Sequence, residues 1–277
     1  MIAIIDPHIH FFDLQMGQYE WLVGDTPPNW ANLSLIKQNH NPNHLKNPTF
    51  LVEAVVHIEA GFNNQHPHKE LEWLAKAARP LRYGAIAYID ITLEPIHFSE
   101  QLSKLLHDPC LRGIRDITEG TDAIRLLHPN VFTNLSTLSC HKLCFEAQFE
   151  LNNQQVANQV ANYCLSLPHL SLFLNHAGLL ERNTQWDHSM AKLSSCPNIA
   201  IKFSGFEHLI SPLSKNTCLQ LCLQYFGDER IMFASNYPVC LMEKSYEEIW
   251  LEYRQLVENE VLWKKLSYHN AKRLYRL

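Results

Sequence analysis

The amino-acid sequence predicts an α/β fold, a (β/α)8 TIM barrel, from two observations. Eight short apolar segments typical of buried strands alternate along the chain with segments of helical periodicity. The length of 277 residues lies close to the roughly 250 residues that are typical of this class. No linker divides the chain, so residues 1–277 are expected to form a single domain. The alternative is a doubly wound open sheet, although the sequence lacks the glycine-rich phosphate-binding motifs of such folds.

The first predicted strand begins at Ile2 and carries His8 and His10 at its carboxyl end. One residue separates the two histidines, and alternate side chains of a strand point to the same face. The segment before them is apolar on both faces, which is typical of an inner strand of a parallel sheet. Since the active sites of such folds lie at the carboxyl ends of the strands, His8 and His10 are the first candidate site residues.

Seven further strands and eight helices are predicted in alternation after this strand. Each strand segment is short and apolar, and each helical segment repeats apolar residues at helical spacing. The strands are predicted at residues 50–59, 83–90, 111–117, 143–150, 170–175, 199–204 and 231–235. The helices are predicted at residues 66–78, 98–107, 133–140, 153–166, 187–194, 215–226, 246–257 and 261–277.

A long excursion loop, residues 13–48, separates the first two strands and is rich in Asn, Gln and Pro. Loops of this length inside a compact domain are usually lids or binding loops. Trp21 and Tyr19 are therefore candidates to cover a substrate pocket. The alternative is that they hold the loop onto the barrel.

Composition and charge limit the class of protein. Hydrophobic residues make up 46% of the chain and charged residues 18%, as in ordinary soluble globular proteins. The net charge of -5 and the lack of a basic cluster argue against a nucleic-acid partner. No apolar run has membrane-spanning length and the chain start shows no signal-peptide pattern, so we expect a cytoplasmic protein that acts on a small molecule. The sequence leaves the oligomeric state open.

Most of the 16 histidines and the eight cysteines are not expected to bind a metal. The cysteines are dispersed without a CxxC pair, which favours free, packed thiols. Histidines in polar or Pro-rich connections are expected to be solvated loop residues, and these are His40, His44, His66, His68, His107, His128 and His188.

Polar residues at the carboxyl ends of the predicted strands are expected to meet at one rim of the barrel. Imidazoles, carboxylates and a guanidinium suit general-base or metal-assisted hydrolysis of an anionic or polyhydroxylated substrate. Besides His8 and His10, these residues are His57, Glu59, Asp90, Arg115, Asp116, Glu146, Gln148, His176, Lys202, Ser204 and Asn236.

Seven short motifs, spread from the first strand to the last helix, together resemble the amidohydrolase-2 family of metal-dependent hydrolases. The nearest likeness is to sugar-lactone and dicarboxylate-lactone hydrolases. The motifs are DPHIHFFD at residues 6–13, YEWL at 19–22, GIR at 113–115, NHAG at 175–178, KFSG at 202–205, FASNYP at 233–238 and NA at 270–271. The resemblance implies a TIM barrel, hydrolysis of a lactone or a related C–O or C–N bond, and a divalent metal in some members.

The resemblance also assigns roles to the matching histidines. His8 and His10 match the HxH pair of the family, which binds zinc or, without a metal, orients substrate or water. His176 matches the histidine after strand six, a third metal ligand or a partner of the substrate carbonyl. Two imidazoles from one strand supply at most half of a tetrahedral zinc shell, so a metal requires further ligands. A packing role is the alternative for each histidine.

Substrate binding is predicted for Arg115, Trp21, Glu146 and Ser204. Arg115 matches the strand-four arginine of the family, and its planar fork would hold a substrate carboxylate through two parallel hydrogen bonds. The alternative for Arg115 is a structural ion pair with Asp90 or Glu146.

The sequence departs from the family at Asn236. Family members usually have an aspartate here, whereas an amide can orient a water molecule but cannot accept its proton. Three explanations remain open. The base is Glu59, Glu146 or a histidine; or the reaction needs no metal; or the barrel binds a ligand without turning it over.

The predicted function is hydrolysis of a small molecule, in which water opens a sugar lactone or a carboxylated lactone. The predicted catalytic residues are His8, His10, His176, Asn236 and Glu59, and the candidate metal ligands are His8, His10 and His176. Zinc is the candidate metal, and a metal-independent reaction is the alternative. A metal-dependent decarboxylase of an unsaturated or aromatic acid and a catalytically impaired binding barrel are the alternative functions.

Overall fold

The structure is a computed structural model that describes residues 1–179, 183–208 and 213–277. Within the described residues, eight strands form one sheet in which hydrogen-bonded neighbours follow the chain order from β1 to β8. The strands are β1 Ile2–Ile9, β2 Phe50–Ile58, β3 Arg82–Tyr88, β4 Leu111–Ile117, β5 Cys144–Gln148, β6 Ser171–Leu174, β7 Ile199–Phe203 and β8 Ile231–Phe233. Because parallel strands in chain order alternate with helices, the predicted (β/α)8 TIM-barrel class is confirmed.

The helices of the described residues are α1 Glu20–Val23, α2 His68–Ala77, α3 Pro95–Leu105, α4 Asn130–Cys140, α5 Gln154–Ser166, α6 His176–Leu179, α7 Thr184–Ser194, α8 Lys215–Phe226, α9 Tyr246–Leu256, α10 Glu260–Lys264 and α11 Asn270–Leu274. Apart from α1, α6 and the divided last helix, these helices begin and end within a few residues of their predicted bounds. The short helices α1 and α6 were not predicted, and neither were two further features. Residues Gly120–Leu127 form a 3-10 helix, and a π-helical segment at Lys265–His269 divides the predicted last helix.

The chain contains two compact units. Unit 1 comprises residues 1–88, 105–111 and 233–277, and unit 2 comprises residues 89–104 and 112–232. The prediction of a single domain over residues 1–277 stays a prediction. The two units are described separately below.

In unit 1, β1 is the strand that positions the predicted histidines. It pairs in parallel with β2, from Ile2 opposite Phe50 to Ile9 opposite His57, and the register shifts between Asp6 and Ile9. The intervening Pro7 has no backbone N–H with which to continue the ladder. On the other side of β1, the chain after β8 continues the pairing, with a parallel bridge between Ile9 and Tyr237.

The excursion loop of unit 1 is a packed structure with its own apolar cluster. Tyr19, Leu22 and Ile36 from the loop are fully buried. Their partners in the cluster are Phe12, Ala60, Phe62 and Val239. Fully burying one side chain of this size contributes about 1.5–3 kcal/mol. The loop is therefore held by hydrophobic burial rather than by its short helix α1 alone.

In unit 2, strands β4 to β7 lie side by side with Arg115 opposite Glu146. A close approach of β4 to β5 explains Gly113, because a Cβ at this position would lie 2.3 Å from the Cys144 carbonyl oxygen. The strands are buried on both faces, as predicted for a parallel sheet.

All eight cysteines are free, and six of them are buried. Among the described residues, no helix combines the length and the apolar character that crossing a membrane requires.

Candidate active site

The two histidines of β1 lie side by side in unit 1. Their ring centroids are 5.1 Å apart, with the rings nearly perpendicular, and both side chains are largely buried. The His10 Nδ1 lies 2.9 Å from the Ile58 carbonyl oxygen. Since a carbonyl only accepts, Nδ1 carries the proton and Nε2 of the neutral ring carries the lone pair. His10 is thus prepared to accept a proton or to bind a cation at Nε2.

His57 is hydrogen-bonded on both ring nitrogens. Its Nδ1 accepts from the Phe11 backbone N–H at 3.2 Å, so its Nε2–H donates to Glu70 at 2.9 Å. The same Glu70 oxygen accepts from the Ala60 backbone N–H. His57 is fully buried and faces α2, so its placement among the reactive residues of the rim was wrong. The alternation of His57 and Glu59 in the sequence did not indicate that Glu70, a carboxylate of helix α2, would bind His57.

Asn236 lies beside His8 because the chain after β8 pairs with β1. The Asn236 backbone N–H donates to the His8 carbonyl at 3.0 Å, and the His10 N–H donates to the Tyr237 carbonyl at 2.6 Å. The backbone of Asn236 is left-handed, with φ 59°, a conformation that Asn tolerates better than most residues. Its side chain is 4% exposed. The structure therefore brings the predicted residues His8, His10 and Asn236 together.

Glu59 and Trp21 lie in the same unit, after β2 and in the excursion loop. Glu59 is buried, and its backbone N–H donates to the Ile86 carbonyl. Trp21 donates its indole N–H to the Ala60 carbonyl at 2.7 Å and packs against Phe12. A Cβ on Gly61 would come within 2.9 Å of the Trp21 ring. These contacts show that Trp21 anchors the loop, the alternative role that was predicted for it. The role of Trp21 in substrate binding stays a prediction.

Asp6 is a buried carboxyl group that was not predicted to matter. Its Oδ1 accepts from the backbone N–H groups of His8 at 3.2 Å and Ser235 at 3.1 Å. Burial raises its pKa to about 6, although these hydrogen bonds lower it. The sequence signal that could have identified Asp6 was its alternation with His8 and His10. Asp6 ties the start of the HxH segment to the chain after β8.

In unit 2, Gln148 is the centre of a buried amide network. Its Oε1 accepts from Arg115 at 3.0 Å and from Asn175 at 3.2 Å, while its Nε2 donates to Glu119 at 2.6 Å. Arg115 is 4% exposed, so one end of its guanidinium is fixed by the protein. A planar guanidinium held in this way is oriented before it meets a carboxylate.

Glu146 and Lys202 form a fully buried ion pair. The Lys202 Nζ lies 2.5 Å from the Glu146 Oε2, and neither side chain is exposed. Burial lowers the pKa of Lys202, Glu146 opposes this effect, and Arg115 adds to it. Two cations and one carboxylate thus interact in the interior of unit 2. The Lys202 ammonium thus occupies one oxygen of Glu146, and the role of Glu146 as the base stays a prediction.

His176 follows β6 in a turn of unusual backbone. Its Nδ1 lies 3.0 Å from the Ser204 hydroxyl, which can donate or accept. Four consecutive residues, 176–179, have positive φ. A Cβ on Gly205 would lie 2.4 Å from the His176 ring, so glycine allows the imidazole to pack on this backbone. The structure brings together the predicted residues His176 and Ser204.

Two predicted rim carboxylates have a structural role. Arg125, from the 3-10 helix, contacts Asp90 at 2.7 Å and Asp116 at 2.6 Å. Asp116 also accepts from the Ile91 N–H, and Asp90 from Thr92. Burial raises the pKa of Asp116 to about 6. The pairing of Asp90 with Arg115, one of the predicted alternatives, was wrong, since Arg125 takes that position.

His40 was predicted to be a solvated loop residue, and this was wrong. It is 2% exposed, and its ring contacts the Tyr237 hydroxyl and the Ile36 carbonyl. Burial lowers its pKa to about 4. Nothing in the local sequence around His40 indicated these distant partners.

A zinc site requires more donors than the structure brings together. Within residues 1–179, 183–208 and 213–277, no three His, Cys, Asp or Glu side chains are arranged to hold a metal ion. His8 and His10 supply two imidazoles, and the amide of Asn236 adds no negative charge. The donor set therefore does not fit a complete zinc site, and we derive no catalytic step through a metal.

The fold and these residues define a class of hydrolytic TIM-barrel proteins. Residues 5–277 match the family model described as amidohydrolase, and the chain belongs to this family. Proteins of this family are hydrolase-type enzymes, which agrees with the coarse prediction of function.

Three similar proteins illustrate the range of this family. Protein y4mH of Sinorhizobium fredii (strain NBRC 101917 / NGR234), described as uncharacterized, is 28% identical over 309 aligned positions, which cover 100% of this chain and 99% of that protein. L-fucono-1,5-lactonase of Burkholderia multivorans (strain ATCC 17616 / 249) is 28% identical over 123 residues, 33% of this chain and 40% of the lactonase. A crystal structure of a Burkholderia multivorans amidohydrolase with bound zinc has a TM-score of 0.78 at 20% identity and covers 99% of both chains.

Proposed function

We propose that this protein is a hydrolase that opens a small lactone, either a sugar lactone or one that bears a carboxylate, by attack of water on the ring carbonyl. The observation that carries the proposal is the fixed tautomer of His10, whose Nε2 lone pair can accept a proton from water. The partial similarity to L-fucono-1,5-lactonase supports the choice of a lactone.

The reaction requires a base, a positioned water molecule and a polarised carbonyl. His10 acts as the base, because its Nδ1 donates to the Ile58 carbonyl and this tautomer carries the basic lone pair on Nε2. Asn236, held next to His8, orients that water through its side-chain amide. Glu59 is the alternative base. Proton transfer by one positioned side chain contributes about 10²–10⁴-fold to the rate.

Substrate binding is assigned to the charged residues of unit 2. Arg115, oriented by Gln148, binds a carboxylate or the ring oxygens of the substrate, and the excess positive charge of the Arg115, Glu146 and Lys202 group favours an anion. His176 and Ser204 share one hydrogen bond, so the pair supplies one further hydrogen-bond donor to the carbonyl oxygen as it becomes negative. Trp21 covers the bound substrate.

The test is a kinetic screen of sugar lactones and carboxylated lactones with the purified protein, with and without chelator. The expected result is opening of at least one lactone, detected as acid release at constant pH. The matched variant Asn236→Asp tests the role of the amide. If neither form opens a lactone while both bind one, the protein is a binding barrel. Release of carbon dioxide from an unsaturated or aromatic acid would instead identify a decarboxylase.

A further inference from the structure

One side-chain hydrogen bond joins the excursion loop to the chain after β8. The His40 Nε2 lies 3.2 Å from the Ile36 carbonyl, so Nε2 carries the proton and Nδ1 carries the lone pair. Nδ1 lies 2.7 Å from the Tyr237 hydroxyl, which therefore donates to it. Both side chains are 2% exposed, and their rings meet edge to face at 5.3 Å. A buried contact of this kind fixes the Tyr237 side chain.

The backbone of Tyr237 contacts the proposed catalytic residues directly. Its carbonyl accepts from the His10 N–H at 2.6 Å, and its own N–H donates to the Ser235 hydroxyl at 2.9 Å. The preceding residue is Asn236, whose left-handed backbone is bonded to His8. A movement of Tyr237 would therefore shift both Asn236 and the end of β1.

His40 is itself fixed to the extension of β1. Its backbone N–H and carbonyl exchange two hydrogen bonds with Phe12, at 2.9 and 3.0 Å, two residues beyond His10. Phe12 and Ile36 both belong to the apolar cluster of the loop. His40 thus connects three segments, which are the end of β1, the core of the excursion loop and the chain that carries Asn236.

We propose that His40 is a positioning residue that holds Asn236 and His10 in register through its hydrogen bond with Tyr237. The inference rests on the lactone hydrolysis proposed above, since positioning has a rate effect only where these two residues act. Displacement of a catalytic group by about 1 Å lowers a rate on the order of 100-fold. Loss of the His40–Tyr237 bond is expected to lower kcat at least about tenfold with little change in KM.

A cavity of about 390 Å³ borders this contact. The cavity is lined by the rings of His40, Tyr237 and Tyr246. It is also lined by the polar side chains of His44, Lys46 and Glu247. A molecule as small as imidazole can therefore reach the position of the His40 ring. This geometry allows chemical rescue of a variant that lacks the ring.

The experiment compares four variants with the wild-type chain. Tyr237→Phe removes only the hydroxyl donor. His40→Asn keeps an acceptor near the position of Nδ1, and His40→Ala removes it and leaves space for added imidazole. Tyr163→Phe is the matched control, because the Tyr163 hydroxyl also donates to a buried partner, the Leu126 carbonyl at 3.1 Å, within unit 2. Melting temperature is recorded for every variant.

Two measurements are made, one of which does not depend on activity. The first is kcat with the lactone that the wild type opens. We expect kcat to fall in Tyr237→Phe and His40→Ala, and added imidazole to restore it in His40→Ala. We expect His40→Asn and Tyr163→Phe to retain the kcat of the wild type. Hydrogen exchange of peptides that contain the His10 and Asn236 amides is expected to accelerate in Tyr237→Phe and not in Tyr163→Phe.

The outcomes separate this inference from the proposed function. Unchanged exchange and unchanged kcat in Tyr237→Phe would overturn the positioning role. Equal losses of kcat in Tyr237→Phe and Tyr163→Phe would overturn it too, because they would indicate general destabilisation. If the wild type opens no lactone, the proposed function fails, and the exchange rates alone decide whether His40 holds the two segments.

Discussion

The polar residues at the carboxyl ends of the strands differ in kind between the two units. In unit 1 they are the imidazoles of His8 and His10 and the amide of Asn236, which are held largely through the backbone. In unit 2 the equivalent positions carry the buried charges of Arg115 and of the Glu146–Lys202 pair. The first group contains no fixed charge, and the second contains more positive than negative charge.

This difference indicates that the two groups of residues have different roles. A neutral imidazole with a fixed tautomer is suited to move a proton, because its lone pair is held on one known nitrogen. A buried guanidinium and a buried ion pair are suited to bind and orient a charged substrate. The comparison therefore predicts that changes at His10 and Asn236 affect kcat and that changes at Arg115, Glu146 and Lys202 affect stability and KM.

The largest expected effect follows from His10→Asn. The asparagine amide can still donate to Ile58, but the Nε2 lone pair is lost, so kcat/KM should fall about 10²–10⁴-fold. Steady-state kinetics on the lactone substrate measures the loss. Stability should change by less than about 1 kcal/mol, because the backbone contact remains.

His57→Gln is the matched control for His10. Glutamine keeps a donor for Glu70 but leaves the Phe11 N–H unpaired, so about 1–3 kcal/mol of stability should be lost. Its kcat should stay within about threefold of the wild type. A large loss of kcat in His57→Gln at full stability would contradict the distinction between the two histidines.

The next effect concerns the buried pair of unit 2. Glu146→Gln leaves the buried Lys202 ammonium without its carboxylate, which should lower the free energy of unfolding by about 3–5 kcal/mol. Lys202→Met leaves the buried Glu146 carboxylate without its ammonium, and a loss of the same order is expected. Urea denaturation measures both. Unchanged stability in Glu146→Gln would contradict a structural role of the pair.

The pH dependence of stability tests His40. The imidazole has a pKa of about 4 in the folded protein, below its ordinary value of 6.5, so the unfolded chain binds more protons between these two values. His40 therefore stabilises the fold above pH 6.5, and the contribution is lost as pH falls toward 4. The groups around it are His44, with ring centroids 5.9 Å apart, Tyr237, and Lys46 and Glu247 of the adjoining cavity.

Denaturation of the wild type and of His40→Asn between pH 4 and pH 7 isolates this contribution. As the pH falls, the free energy of unfolding of the wild type should decrease by on the order of 3 kcal/mol more than that of the variant. Parallel curves for the two proteins would show that His40 does not titrate with a lowered pKa.

The smallest effect is expected from metal removal. Because the described residues do not bring three metal-ligating side chains together, chelation should change the rate of lactone opening by less than about twofold. Elemental analysis of the purified protein should find less than about one metal ion per ten chains. Asn236→Asp supplies a carboxylate beside His8 and His10 and should raise zinc affinity. Stoichiometric zinc in the wild type would contradict this account.

Much of the fold could be predicted because its signals are local. Strand β1 could be placed from its apolar run and from the alternation of His8 and His10, and β4 has the predicted bounds of 111–117. The pairing of Asn236 with His8 follows once strand order is known. Asp90 and His57 could not be assigned, because their partners Arg125 and Glu70 come from helical segments whose orientation depends on packing.

The sequence by itself determined the class of fold, the family and the residue types available for chemistry, because strand periodicity and short motifs depend on neighbouring residues. Only the tertiary structure decided which partners the buried polar side chains bind. His57 is hydrogen-bonded on both nitrogens to Phe11 and Glu70, whereas the Ile58 carbonyl fixes the tautomer of His10 with the lone pair on Nε2. The physical reason is that hydrogen bonds and ion pairs of buried groups join segments far apart in the chain, and burial makes these partners obligatory.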